Sequence, residues 1–124
     1  MKLKTVILEC PDVRRLLAFY QGLLDWPVVL DEETFVRIEC PETGMGLAFQ
    51  LDEDYVPPVW PTEPGKQQMM AHLDFGVADP HELEQAAARA LALGATMAPS
   101  QYGGDDWLTL LDPAGHPFCL VVWE

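Results

Sequence analysis

The sequence is poor in basic residues. Lys and Arg number 7 against 20 Asp and Glu, so the net charge of the 124 residues is −13. This charge repels nucleic acid and anionic lipid and favours a cationic ligand, although acidity that only aids solubility is the alternative. No apolar run approaches the roughly 20 residues that span a bilayer, and the N-terminal apolar run is too short for a signal peptide. We therefore expect a cytoplasmic protein with no nucleic-acid or membrane partner.

Paired cysteines and the common catalytic motifs are also missing. The three cysteines, Cys10, Cys40 and Cys119, are odd in number and widely spaced, with no CxxC pair. Reduced thiols are therefore expected instead of a disulfide scaffold. The chain has no Gly-rich phosphate loop, no Ser-His-Asp order and no HExxH motif, which removes the corresponding enzyme classes from the first rank.

What the sequence does contain is an internal repeat. A shift of 67 residues aligns Asp12 with Asp79 and Leu16 with Leu83. Each Asp stands at the start of an amphipathic segment and after an alternating apolar run, the pattern of a strand followed by a capped helix. The predicted order in each half is βαβββ: "KTVILE", "VRRLLAFYQGLL", "WPVVL", "TFVRIEC" and "GLAFQL", then "HLDFGV", "ELEQAAARALAL", "ATMA", "WLTLL" and "FCLVVW".

A proline-rich stretch joins the two halves. Pro57, Pro58, Pro61 and Pro64 disfavour regular structure there. A half of about 50 residues is a poor independent core. We therefore predict one domain over 1–124, with module one at 1–51, a linker at 52–67 and module two at 68–124.

The paired units, together with "FYQGLLDW", "LGA" and "DPAGHPFCLVV", resemble the vicinal oxygen chelate superfamily of glyoxalases, bleomycin-resistance proteins and extradiol dioxygenases. The resemblance covers essentially the whole chain and is strongest to short bacterial glyoxalase-like proteins. It implies an α+β fold in which two βαβββ modules form a curled mixed sheet with a concave cup. It also implies a homodimer.

The resemblance further implies where a divalent metal would bind. The superfamily's metal positions correspond here to Thr5, Ala48, His72 and Cys119. A catalytic zinc needs about three ligands from His, Cys, Asp or Glu, and this set supplies two. We therefore predict no metal and no other cofactor. The open alternative is a displaced divalent-metal site, which Glu9, Gln50 and Asp74 could rebuild together with His72.

Strand alternation predicts which side chains line the cup. The predicted ligand-binding residues are Glu9, Gln50, Trp60, His72, Asp74, Trp107 and Cys119. Carboxylates in a half-apolar cup are costly unless they are paired or solvated. A cationic ligand would satisfy Glu9 and Asp74, as would water or Arg37. Aromatic rings such as Trp60 and Trp107 suit flat or cationic molecules.

Two functions of different classes follow. The first is a metal-free small-molecule binder, similar to the bleomycin-resistance proteins, that sequesters a cationic or aromatic ligand. The second is a superfamily lyase or isomerase that uses His72 as a base or a displaced metal. His72 is the single catalytic candidate, and a contact with Asp74 is its simplest role. Cys119 is expected to be a small apolar filler.

Overall fold

A computed structural model describes residues 1–123. They form two units that repeat one order of elements, Met1–Tyr55 and a second unit from Val56 onward. The boundary lies inside the predicted linker. Each unit places one helix against one four-stranded mixed sheet. Among residues 1–123, no helix has the length and apolar character that crossing a bilayer requires.

The first unit contains β1 (Thr5–Cys10), α1 (Val13–Leu24), β2 (Val28–Asp31), β3 (Phe35–Glu39) and β4 (Gly46–Leu51). The strand order is β1-β4-β3-β2, with β1 parallel to β4 and the other pairs antiparallel. Asp12 caps helix α1, and its carboxylate accepts the Arg15 N–H at 3.1 Å. This bond satisfies one of the N–H groups that a helix start leaves without a partner.

The second unit contains β5 (Leu73–Val77), α2 (Pro80–Ala92), β6 (Thr96–Met97), β7 (Trp107–Leu111) and β8 (Pro117–Val122), in the sheet order β5-β8-β7-β6. Asp79 caps α2 and accepts the Glu82 N–H at 2.8 Å. The Glu82 carboxylate reaches back and accepts the N–H of Ala78, one residue before the cap. The predicted α+β fold of two βαβββ modules is confirmed.

One face of each sheet packs against its helix. In the first unit the Tyr20 ring of α1 stacks on Phe49 of β4, with centroids 5.5 Å apart. In the second unit Phe75 meets Phe118 edge to face at 6.0 Å, and α2 packs on β5, β7 and β8. Because side chains alternate along a strand, the residues on either side of each helix-packed residue point to the opposite face of the sheet. We call that opposite face the helix-free face of each sheet.

Three second-unit strands differ from their predicted bounds, and one of them, β8, begins and ends one residue earlier than predicted. His72 precedes β5, and β6 is only two residues long, Thr96–Met97. Just beyond β6, the Ala98 N–H still donates to the carbonyl of Thr109 at 3.1 Å, and a side chain completes the pairing. The Gln101 carboxamide donates to the carbonyl of Thr109 at 2.7 Å and accepts the Thr109 N–H at 2.9 Å. The Gln101 side chain thus satisfies the Thr109 N–H, which a longer β6 would have paired.

Candidate functional site

A polar row crosses three strands of the second sheet on its helix-free face. Asp74 of β5 pairs in register with Cys119 of β8, and Cys119 pairs with Thr109 of β7. His72 stands just before β5, with Nε2 3.3 Å from Oδ1 of Asp74. The ligand atoms of His72, Asp74 and Cys119 all lie within 4.8 Å of one another. We call these three residues the second-unit cluster.

The second-unit cluster has one buried and two accessible members. Cys119 is 4% exposed, whereas the side chains of His72 and Asp74 are 37% and 41% exposed. Burial raises the pKa of the Cys119 thiol. A contact with the Thr109 hydroxyl, 3.4 Å away, opposes this rise, and the Asp74 carboxylate adds to it. Cys119 is therefore a neutral thiol near pH 7 and not an activated nucleophile. The accessible polar groups are the imidazole and the carboxylate.

An aromatic group borders the cluster. The Trp60 ring lies edge-on to His72 with centroids 6.0 Å apart, and it also lies 6.2 Å from the ring of Tyr102. The indole is held in place because its Nε1–H donates to the carbonyl of Ser100 at 3.0 Å. Trp60 is half-buried, while Tyr102 is 61% exposed. Trp60 and His72, which were both predicted to bind the ligand, are thus in contact.

Trp107 occupies the next row of the same face. It pairs with Val121, which pairs with Gly76, one row along from Asp74 and Cys119. The half-buried Trp107 ring lies against Gly103, where a Cβ would overlap the ring. Gly103 has no left-handed φ, so a glycine is needed here for the space it leaves and not for its backbone freedom.

Glu9 and Gln50 lie in the first unit, on the helix-free face of its sheet. They pair across β1 and β4 and are both exposed. The partner of Glu9 is a second acid. A hydrogen bond with Asp52, together with partial desolvation and the Asp52 charge, raises the pKa of Glu9. Two adjacent carboxyl groups share a proton more readily than either would hold one alone.

Arg37 has different partners from those predicted. Its Nε donates to Oγ1 of Thr5 at 2.7 Å, its Nη1 to the Glu39 carboxylate at 2.5 Å and its Nη2 to the carbonyl of Lys4 at 3.2 Å. The hypothesis that Arg37 neutralises Glu9 is therefore wrong. The partner is Glu39, two residues along the same strand, because alternation brings the two side chains to one face.

The four metal positions implied by the resemblance do not fit a metal as a set. Ala48 is fully buried and offers no donor atom, and the Thr5 hydroxyl accepts a hydrogen bond from a guanidinium. A fixed positive charge beside Thr5 repels a divalent cation. The second-unit cluster has suitable donor types, namely nitrogen, oxygen and sulfur. Ligation by Cys119 would require removing a proton from a thiol whose pKa is raised.

Sequence reasoning missed two members of the site. Thr109 contacts Cys119, and alternation in "WLTLL", combined with pairing through the "DPAGHP" turn, was a usable signal for it. Tyr102 lies in an irregular segment between β6 and β7. Its position beside Trp60 depends on two loops that are distant in sequence, so no local pattern indicates it.

Comparison with known proteins shows that the chain matches one family model and resembles many solved structures. The family model of the glyoxalase-like domain matches residues 5–121. No functionally curated protein matches the sequence significantly.

The structural relatives share low sequence identity with the chain and align over nearly all of it. A glyoxalase/bleomycin resistance protein/dioxygenase family enzyme from Burkholderia phytofirmans has a TM-score of 0.75 and 17% identity, covering 97% of both chains. The fosfomycin resistance protein FosX from Mesorhizobium loti has a TM-score of 0.73 and 16% identity, covering 99% of this chain and 92% of its own. A lactoylglutathione lyase from Agrobacterium tumefaciens has a TM-score of 0.66 and 17% identity, with 98% and 92% covered. At such identity these similarities establish a shared fold.

Proposed function

The chain belongs to the glyoxalase-like domain family, and on that basis we propose that it is a metal-free small-molecule-binding protein of the glyoxalase/bleomycin-resistance type. Its ligand is a cationic or flat aromatic compound. The observation that carries this proposal is the second-unit arrangement of an accessible carboxylate, Asp74, beside a fixed indole, Trp60, with His72 between them in contact with both.

The chemistry of these groups favours such a ligand. A carboxylate attracts a positive charge, and an aromatic face binds a cation or another flat ring. Trp60 is already ordered by its hydrogen bond to Ser100, so little conformational entropy is lost when a ligand stacks on it. The net charge of −13 adds a long-range attraction for cations.

The metal-free part of the proposal rests on the first unit. Ala48 cannot ligate a metal, and Arg37 holds the Thr5 hydroxyl. The structural relatives include a fosfomycin resistance protein and a lactoylglutathione lyase, so the shared fold does not decide between binding and catalysis. Location in the cytoplasm, homodimerisation and the absence of nucleic-acid and membrane partners remain parts of the proposal.

The test is a thermal-shift screen of cationic aromatic compounds and their neutral counterparts, followed by calorimetric titration of each hit. Trp60→Ala should weaken binding about 5- to 30-fold, because it removes one stacking or cation–π contact of about 1–2 kcal/mol. Trp60→Phe keeps a ring and should lose much less. Equal affinity in wild type and Trp60→Ala would remove this loop from the site.

The second candidate function is a lyase or isomerase of the superfamily, with His72 as base or with a displaced divalent metal. The second-unit cluster is the observation that favours it. Elemental analysis of the untagged protein, followed by titration with zinc, nickel, manganese and ferrous ions, separates the two functions. One tightly held metal per chain that is lost in His72→Ala would contradict the metal-free proposal and favour the enzyme.

A further inference from the structure

We propose that the guanidinium of Arg37, in the first unit, is a preformed binding site for an oxyanion, the carboxylate or phosphate group of a small molecule. This site goes beyond the proposed function and does not rest on it, because it uses another unit and a ligand group of opposite charge.

The guanidinium is fixed on the helix-free face of the first sheet. Three contacts hold it, from the Thr5 hydroxyl, the Lys4 carbonyl and the Glu39 carboxylate. It lies over Gly46, where a Cβ would overlap Nε, Cζ and Nη2. Gly46 has no left-handed φ, so its role here is the space that it leaves, and a Cβ would displace the guanidinium from its present position. The rotamer entropy that a free arginine loses on binding a ligand is therefore already lost.

The clamped guanidinium still has donors to offer. Arginine carries five N–H groups, and the three contacts use one from each nitrogen. One N–H on Nη1 and one on Nη2 are left without an acceptor among residues 1–123. The side chain is 16% exposed, so most of it is covered while part still reaches the surface. Two N–H groups of one planar fork match the two oxygens of a carboxylate or phosphate.

The local charge also favours an anion, against the net charge of the chain. The chain has 7 basic residues in all, and two of them act on the same carboxylate here. The hydrogen bond from Arg37, with the charges of Arg37 and Lys4, lowers the pKa of Glu39. Glu39 is therefore ionised and neutralises one of the two cations. Arg37, Lys4 and Glu39 together therefore carry one net positive charge, which would attract an oxyanion.

The experiment follows the backbone amide signals of Thr5 and Gly46, and the Nε–H signal of Arg37, by proton–nitrogen NMR. Sodium acetate and inorganic phosphate are titrated separately at constant ionic strength. Arg37→Gln removes the guanidinium, and Arg37→Lys keeps the positive charge without the paired N–H donors. Gly46→Ala keeps Arg37 but fills the space that the guanidinium occupies. Arg14→Gln is the matched control, because it makes the same charge change on α1, where Arg14 pairs with Asp31 in an exposed ion pair.

We expect saturable shifts in wild type and equal affinity in Arg14→Gln. Binding should be about tenfold or more weaker in Arg37→Gln and in Gly46→Ala, with Arg37→Lys in between. The tighter of the two probes identifies the group as carboxylate or phosphate. Where Gly46→Ala does not give a folded spectrum, the two Arg37 variants decide.

Three results would overturn the inference. These are no saturable shift with either probe, an equal loss in Arg14→Gln, or unchanged affinity in Arg37→Gln. None of them bears on the cationic ligand, which is followed on second-unit signals and with Trp60 variants. Failure of one proposal is therefore distinguishable from failure of the other.

Discussion

Asp74→Asn isolates the charge that we assign to ligand recognition, because it removes one negative charge and nearly preserves the side-chain shape. Two unit charges about 4 Å apart attract by about 1 kcal/mol in water and about 4 kcal/mol near a protein surface. The Asp74 side chain is 41% exposed, so solvent screening places the expected loss near the lower value. For a cationic ligand this corresponds to about fivefold weaker binding at low salt.

The assay compares N-methylquinolinium, a flat cation, with neutral quinoline at about pH 8. Titration calorimetry measures both compounds against wild type and Asp74→Asn. The loss should be confined to the cation and should shrink at about 0.5 M salt, where charges are screened within a few ångströms. Glu84→Gln is the matched control, since Glu84 is exposed on α2, which packs on the other face of the sheet. An equal loss for quinoline, or an equal loss in Glu84→Gln, would refute the electrostatic reasoning.

Two further predictions concern reactivity and stability. Iodoacetamide near pH 7 should label Cys40 first, because hydrogen bonds from Thr43 lower the pKa of this half-exposed thiol while the other two cysteines are buried. Peptide mass spectrometry checks the order, and early labelling of Cys119 would show that the polar row of the second sheet opens to solvent. Phe49→Ala removes a fully buried ring stacked on α1 and should lower the free energy of unfolding by about 3–5 kcal/mol. Urea unfolding measures this change, and a loss below about 1 kcal/mol would contradict the assigned packing.

Elements with a local signal were predicted with their bounds. Helix α1 runs over Val13–Leu24 as expected, because the Asp12 cap and the apolar spacing both act within a few residues. β4 and β7 agree for the same reason, since alternation and flanking turns define them. β6 is shorter than predicted because the Thr109 N–H pairs with the side chain of Gln101, although the Thr109 carbonyl still accepts the Ala98 N–H. No periodic pattern marks a side chain that replaces a strand.

In the candidate site too, only the contacts that a local sequence pattern marks could be predicted. Period-two alternation indicated that His72 and Asp74 share a face, and the structure brings them to 3.3 Å. The contact of Trp60 with His72 and Tyr102 depends on loop geometry, which the sequence does not encode in a local pattern. Arg37 was considered only as a partner of the inward carboxylates Glu9 and Asp74, whereas its carboxylate partner in the structure is Glu39. Arg37 meets Glu39 because the two residues stand two positions apart on β3 and therefore share one face.

The two units differ most at positions that the repeat makes equivalent. Thr5 and His72 correspond under the shift of 67 residues. Thr5 accepts a hydrogen bond from a guanidinium, whereas His72 lies beside a carboxylate. A metal held through both positions needs a donor atom and no fixed cation at each. The second unit meets these conditions, whereas the first does not, because Ala48 has no donor atom and Arg37 holds the Thr5 hydroxyl. A metal bound by the second-unit cluster alone would therefore refute the metal-free proposal and leave the inference about Arg37 intact.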